Sequence, residues 1–244
     1  MKTHRVTYIL ASAAVCALIS SATRADPLPG EILKFQQKPM VATTLGPVGS
    51  GPTYFGHDEL STAYGILPEP TAPPYQGRFM ADDFADKFET PVLHVRWWGS
   101  YMGPDHFVGG GVKRFYIGFE SDVPASPTGG FSHPGTPLLQ QFVVKGPLAP
   151  SSGTFTETPI RGPDPVIGES LYEYNSELRC PFQQKPDTVY WLKIVALVNQ
   201  VEDGPIQWGW HNRDWTVPDP LASTPPAVIP GEGIVGTVPG TTGA

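Results

Sequence analysis

Residues 188–198 read TVYWLKIVALV, and no other stretch of the chain constrains the fold as tightly. In an extended chain successive side chains point to opposite faces. Tyr190, Leu192, Ile194, Ala196 and Val198 then share one face. Val189, Trp191, Val195 and Leu197 share the other, with Lys193 the sole charge. The run is rich in β-branched and aromatic residues and is bounded by Pro186-Asp187 and Asp203-Gly204-Pro205. It reads as a central strand covered on both sides.

Working outward, residues 90–98 alternate more plainly, with Leu93, Val95 and Trp97 opposite Val92, His94, Arg96 and Trp98. Residues 113–120 set Phe115, Ile117 and Phe119 against Arg114, Tyr116, Gly118 and Glu120. Further strands are predicted over 78–84, 138–144, 168–175 and 206–211, with a weaker one at 31–36. Residues 60–66 suit a helical turn and nothing longer. The separators 103–105, 109–111, 124–135, 146–153 and 161–165 are rich in Gly and Pro, so the 27 Gly and 29 Pro of the 244 residues act as turn formers. Many short strands without helical periodicity predict an all-β fold, an antiparallel β-sandwich of jelly-roll type spanning 26–217. The tail 218–244 is rich in Pro, Gly and Thr and reads as a linker or a final strand at 227–229 or 233–238.

The N-terminus has the pattern of an export signal. Lys2 and Arg5 precede an almost wholly apolar stretch, 6–19, and small residues lead to expected cleavage after Ala22 or Ala25. The apolar stretch is too short for a spanning helix, and none follows later. Removing residues 1–25 takes away three basic and no acidic side chains, so the net charge moves from −7 to −10. Such acidity argues against nucleic acid, whose phosphates call for Lys and Arg. Cys180 is the one cysteine left, which excludes an internal disulfide; a buried thiol is expected, with an intermolecular disulfide as the alternative.

Catalytic signatures are missing: no HExxH, CxxC pair, Walker loop or GxSxG elbow occurs. Gly130-Phe131-Ser132-His133-Pro134 comes nearest to the last and reads as a turn. His57, His94, His106, His133 and His211 are scattered. Among the carboxylates, Asp82 and Asp83 are adjacent and so face opposite ways on a strand. Glu120 with Asp122, or Glu173 with Glu177, remain open as acid–base partners for other groups. Asp82, Asp83, Asp105 and Asp122 are the expected ligands of a structural calcium ion, and no other cofactor is implied. The six Trp, nine Tyr and twelve Phe are the most informative group. Trp98 shares its face with His94 and Arg96, and Trp215 sits in a polar loop, so these four residues form the expected ligand-binding set, with sugar rings stacking on indole. The competing use of each Trp is core filling.

Several segments in order carry a resemblance: Ala81-Asp82-Asp83-Phe84, Trp97-Trp98-Gly99-Ser100-Tyr101, Ser121-Asp122-Val123-Pro124-Ala125, Tyr172-Glu173-Tyr174-Asn175, Val189-Tyr190-Trp191-Leu192 and Trp208-Gly209-Trp210. Together they span roughly 32–215 and resemble an uncharacterised family of secreted β-sandwich domains from environmental bacteria, often found with PEP-CTERM sorting tails or dockerins. The resemblance implies a sandwich and a surface location, and no reaction. The chain departs from the pattern at Ala85-Asp86, where relatives place a cysteine, and shows no PEP-CTERM tail after Gly233.

The expectation is therefore a secreted or cell-surface, non-catalytic module that binds an extracellular glycan or a surface protein. The alternatives are a carboxylate-dependent hydrolase or lyase acting on carbohydrate, and a purely structural envelope protein.

Overall fold

The central strand forms where the alternation places it. In the computed structural model the described residues are 30–35, 39–41, 54–55, 58–65, 75–101, 110–126, 132–161, 170–211 and 234–238. The chain divides into two units, Met1–Leu33 and Lys34–Ala244; residues 31–33 of the first carry no strand. In the second, the short strands β1 (Met40–Val41) and β2 (Tyr54–Phe55) pair with each other. Then come β3 (Asp58–Leu60), β4 (Thr62–Gly65), β5 (Tyr75–Phe84), β6 (Val92–Tyr101) and β7 (Arg114–Val123). β8 (His133–Lys145), β9 (Thr154–Arg161), β10 (Leu171–Phe182), β11 (Tyr190–Asn199), β12 (Trp208–His211) and β13 (Ile234–Val238) follow.

Strands β3 to β13 make one mixed sheet in the order β13-β5-β4-β11-β7-β8-β9-β10-β6-β12-β3. The all-β expectation holds, and no helix occurs among the described residues. Hydrogen bonds join all eleven strands into one nearly barrel-like sheet rather than two separate antiparallel layers. Two thin seams make that continuity. At the first, β8 meets β9 in parallel through only Val144↔Thr154 and Lys145↔Phe155.

The second seam is the continuous run β3–Ser61–β4. β3 pairs with β12, whereas β4 pairs in parallel with β11 and antiparallel with β5. Ser61 sits at the crossing: its N–H donates to Trp208 O (3.0 Å) and its carbonyl accepts from Ala196 N–H (2.9 Å). Its hydroxyl donates to Ile194 O (2.5 Å) and accepts from Met80 N–H (3.1 Å). Thr62 Oγ1 donates to Trp208 O (2.7 Å) and accepts from Trp208 N–H (2.9 Å). Residues expected as a helical turn are thus two strands. The strand pairing satisfies the backbone groups of 58–65 with partners remote in sequence, which no local pattern reveals.

The main core lies between the β7–β11 and β6–β10 portions of the sheet. Phe115 meets Trp97, Phe155 and Trp208 edge-on at centroid distances of 5.2, 4.9 and 4.8 Å. Trp97 stacks on Tyr174 at 5.4 Å, and Phe119 stacks on Phe182 at 4.3 Å. Such pairs add to plain area burial. On the other face of β11, Val195 and Leu197 join Ala63, Tyr75, Phe79 and Tyr116 in a second buried cluster, so the strand is covered on both faces as its composition requires.

Two further expectations change. β9 had no strand assigned, because its Thr-rich, Pro-containing sequence TFTETPIR resembles a loop; β10 organises it through ladder bonds. Residues 31–35 form no strand. The expected final strand at 233–238 is realised as β13 on the β5 edge, while 227–229 lies outside the described residues.

Two substitutions test the packing account. Thr62→Val removes both hydroxyl bonds at a buried position and is expected to lower stability by about 1–3 kcal/mol. Gly99→Ala places a methyl group 2.4 Å from Gly209 O and 2.4 Å from the Trp208 ring, with a similar or larger cost expected, of order 1–3 kcal/mol. Urea denaturation checks both against the exposed Val201→Ala, which is expected to change stability by less than about 0.5 kcal/mol.

Candidate functional site

Register decides which polar side chains meet. In the antiparallel β6–β10 pair, His94 is opposite Glu177, Arg96 opposite Asn175, and Trp98 opposite Glu173. Alternation turns Val95, Trp97, Tyr172 and Tyr174 into the core, so these six line the outer face. On β9, Thr154, Thr156 and Thr158 extend the same rows.

The six form one connected system. Asn175 Nδ2 donates to Glu173 Oε1 (2.9 Å), and Asn175 Oδ1 lies 3.2 Å from His94 Nε2. Arg96 Nη1 lies 3.8 Å from Glu173 Oε2, with its guanidinium 5.4 Å from the centre of the Trp98 ring. Burial pushes the Arg96 guanidinium below its ordinary value, and the charge of Glu173 opposes that shift. His94 Nδ1 lies 3.8 Å from Glu177 Oε1.

The expected set Trp98, Arg96 and His94 is thus brought together, and Trp215 lies outside the described residues. One expectation needs correcting: Trp98 is only 9% exposed and does not present an open stacking platform. Its flat partner is Arg96, which uses the ring for a cation–π contact. Trp97, Trp191 and Trp208 are buried as well, and Trp210 is partly buried, so core filling claims most of the indoles. The β10 contributors Glu173, Asn175 and Glu177 belong to a strand expected only as far as 175, and only pairing shows which of them meets which β6 residue.

The carboxylates considered as calcium ligands do not gather. Asp83 is buried and Asp82 partly exposed, on successive positions of β5 opposite Trp191 and Leu192 of β11. Asp122 Oδ1 accepts from the indole N–H of Trp191 (2.8 Å) and from the Ser132 hydroxyl. Asp105 lies outside the described residues, and Asp82, Asp83 and Asp122 form no common ligand group among those described.

Acid–base pairing finds little support in the geometry. Glu173 is engaged by Asn175 Nδ2 at 2.9 Å and Arg96 Nη1 at 3.8 Å, and Glu177 Oε1 lies 3.8 Å from His94 Nδ1. Glu120 is held by Lys193 Nζ at 2.6 Å, the two side chains being 6% and 13% exposed. Ser100, Asp58 and His211 do meet, but Asp58 is the shared centre: Ser100 donates to Oδ2 while His211 Nδ1 lies 3.2 Å from Oδ1. A nucleophile relay needs the imidazole between serine and acid, so this group clamps β3 to β6 and β12.

A polar chain also runs through the core. Trp208 Nε1 donates to Tyr174 OH (3.0 Å), which bonds onward to Tyr101. Tyr101 OH donates to Glu157 Oε2 (2.7 Å) and accepts from Val112 N–H (2.9 Å). Lys145 Nζ stands 3.3 Å from Glu157 Oε1. Burial pushes the Tyr101 and Tyr174 phenols far up, and the charge of Glu157 adds to it. Cys180, expected to be buried, is exposed, because β10 departs from its β6 register between Glu177 and Phe182.

Residues 33–228 match a family described as a domain of unknown function, DUF7901. No curated protein and no solved structure shows significant similarity to the chain.

Two outcomes are expected. Lys193→Met strands the Glu120 carboxylate in a buried site, lowering stability by about 3–5 kcal/mol; adding Glu120→Gln is expected to recover part of the loss in a denaturation cycle. Tyr116 is pushed up to about 12, chiefly by burial and then by Glu120. The folded chain then keeps protons that unfolded tyrosines release near pH 10, so stability falls as pH climbs from about 10 towards 12. An absorbance titration of phenolate is expected to show these tyrosines ionising late, together with unfolding.

Proposed function

We propose that this chain, which belongs to the DUF7901 family, is an exported, non-catalytic module that binds glycan through the outer face of β6, β10 and β9. The carrying observation is the connected face of His94, Arg96, Glu173 and Asn175, whose planar side chains are mutually oriented before any ligand arrives. Sugars offer neighbouring hydroxyls that both donate and accept, and Arg, Asn and carboxylate groups match such pairs two atoms at a time. Preorganisation supports affinity, because less side-chain entropy is lost on binding. Recognition in this reading rests on polar contacts, with Trp98 serving as the floor beneath Arg96.

The same reading takes the curled sheet as a sandwich whose two halves, β5-β4-β11-β7-β8 and β9-β10-β6-β12-β3, face each other across the Phe115 cluster. Export rests on the basic and apolar pattern of residues 1–25. The non-catalytic character is supported by the engaged carboxylates.

The test is binding of the purified chain to a panel of polysaccharides, in the presence of EDTA so that no metal contributes. Saturable binding to at least one is expected, weakened about tenfold or more in Arg96→Ala and Glu173→Gln, variants checked for folding by circular dichroism; tenfold is about 1.4 kcal/mol. Absence of binding across the panel would overturn the glycan reading in favour of a structural surface role.

A further inference from the structure

On this face His94 Nδ1 and Glu177 Oε1 stand 3.8 Å apart. The amide of Asn175 fixes the histidine tautomer. Asn175 Nδ2 is committed to Glu173 Oε1 at 2.9 Å, so its carbonyl Oδ1 is the atom 3.2 Å from His94 Nε2. A carbonyl accepts only, hence His94 Nε2 carries the proton and donates it. In the neutral ring Nδ1 is then a lone pair, and it is Nδ1 that stands 3.8 Å from Glu177 Oε1. A direct hydrogen bond does not reach that far. A shared ion does: with metal–nitrogen distances of about 2.0–2.1 Å and metal–oxygen of about 2.0–2.2 Å, one ion bridges atoms about 3.4 Å apart at a tetrahedral angle and up to about 4.3 Å as that angle opens.

We propose that His94 Nδ1 and Glu177 Oε1 are protein ligands of a divalent transition-metal ion, with Asn175 and Glu173 as the groups that orient the histidine. The donor set selects the metal class. An imidazole with one carboxylate suits zinc, nickel or copper, whereas calcium asks for an all-oxygen shell. The support has the form common to histidine metal sites, in which the distal ring N–H is held by an acceptor that is itself hydrogen-bonded. Here that acceptor is Asn175, anchored by Glu173, which Arg96 approaches in turn.

The frame is rigid as well. His94 and Glu177 are directly paired across two neighbouring strands, so backbone hydrogen bonds fix the spacing of their Cα atoms. Their side chains are 15% and 13% exposed, open enough for an ion with water completing its shell and buried enough to limit competition from solvent. The site differs from the aspartate set considered for calcium, and it does not depend on the glycan reading.

Calorimetric titration of the metal-stripped chain with zinc chloride tests the proposal, with calcium chloride as the comparison. Saturable zinc binding near one ion per chain is expected, with calcium giving none at this site. His94→Ala and Glu177→Gln are each expected to abolish it, and Asn175→Ala to weaken it by about 10–100-fold. Because a sheet substitution risks misfolding, the unaltered chain gives a second readout: zinc is expected to shift the His94 ring resonances in a nuclear magnetic resonance spectrum. Zinc binding that survives His94→Ala would overturn the proposal. So would His94 resonances that respond to pH and not to zinc, which would place a proton alone between the two groups.

Discussion

The closure at Ser61 and Thr62 is the constraint on which the rest of the architecture hangs. A sheet of eleven strands leaves backbone donors and acceptors unpaired wherever its halves part. Here one continuous segment, 58–65, bonds first to β12 and then to β11 and β5, so the edge strand β3 runs directly into β4, which lies between β5 and β11. Both side chains at the crossing are small hydroxyls, fully buried, and both act as donor and acceptor. Apolar side chains at the two positions would remove four hydrogen bonds, two at each hydroxyl. The carbonyl of Trp208 accepts from both Ser61 N–H and Thr62 Oγ1, which fixes the indole that caps the Phe115 cluster.

From that closure follows the unusual division of labour among the aromatic residues. With no disulfide among the described residues, stability is drawn from the interior, and large rings bury much area per residue. Phe115 is the hub, with Trp97, Phe155, Tyr174 and Trp208 around it. The polar atoms of Trp208 and Tyr174 are threaded into a relay through Tyr101 to Glu157, whereas the buried indole N–H of Trp97 has no hydrogen-bond partner among the described residues. Lys145 supplies the positive end where the relay approaches solvent. The same rule governs Lys193 and Glu120, which are tolerable under cover only because each satisfies the other.

The outer face of β6 and β10 obeys a different logic. Apart from the buried Trp98 its members are only partly buried, yet they are held by neighbours: Arg96 by Glu173 and Trp98, Asn175 by Glu173, His94 by Asn175. Structural ion pairs on a surface contribute little stability. In the proposed reading the two ends have separate roles, Arg96 and Glu173 towards hydroxyl groups and His94 and Glu177 towards a metal ion.

Composition and period 2 alternation determined the class and the central strand: TVYWLKIVALV has apolar residues on both faces, and burial on both sides is the only stable use of such a run. The strands around Val95, Ile117 and Val143 were equally legible, as was the grouping of His94, Arg96 and Trp98 on one face. Beyond that, local pattern ran out for a physical reason. Strand order and register are set by bonds between residues far apart in the chain, as with Ser61 to Trp208, Val144 to Thr154 and His94 to Glu177. β9 is a strand through its pairing with β10 and β8, and Trp98 is buried with Arg96 against its ring. Alternation states which way a side chain points; only tertiary pairing decided what it meets there, and the candidate site consists of those meetings.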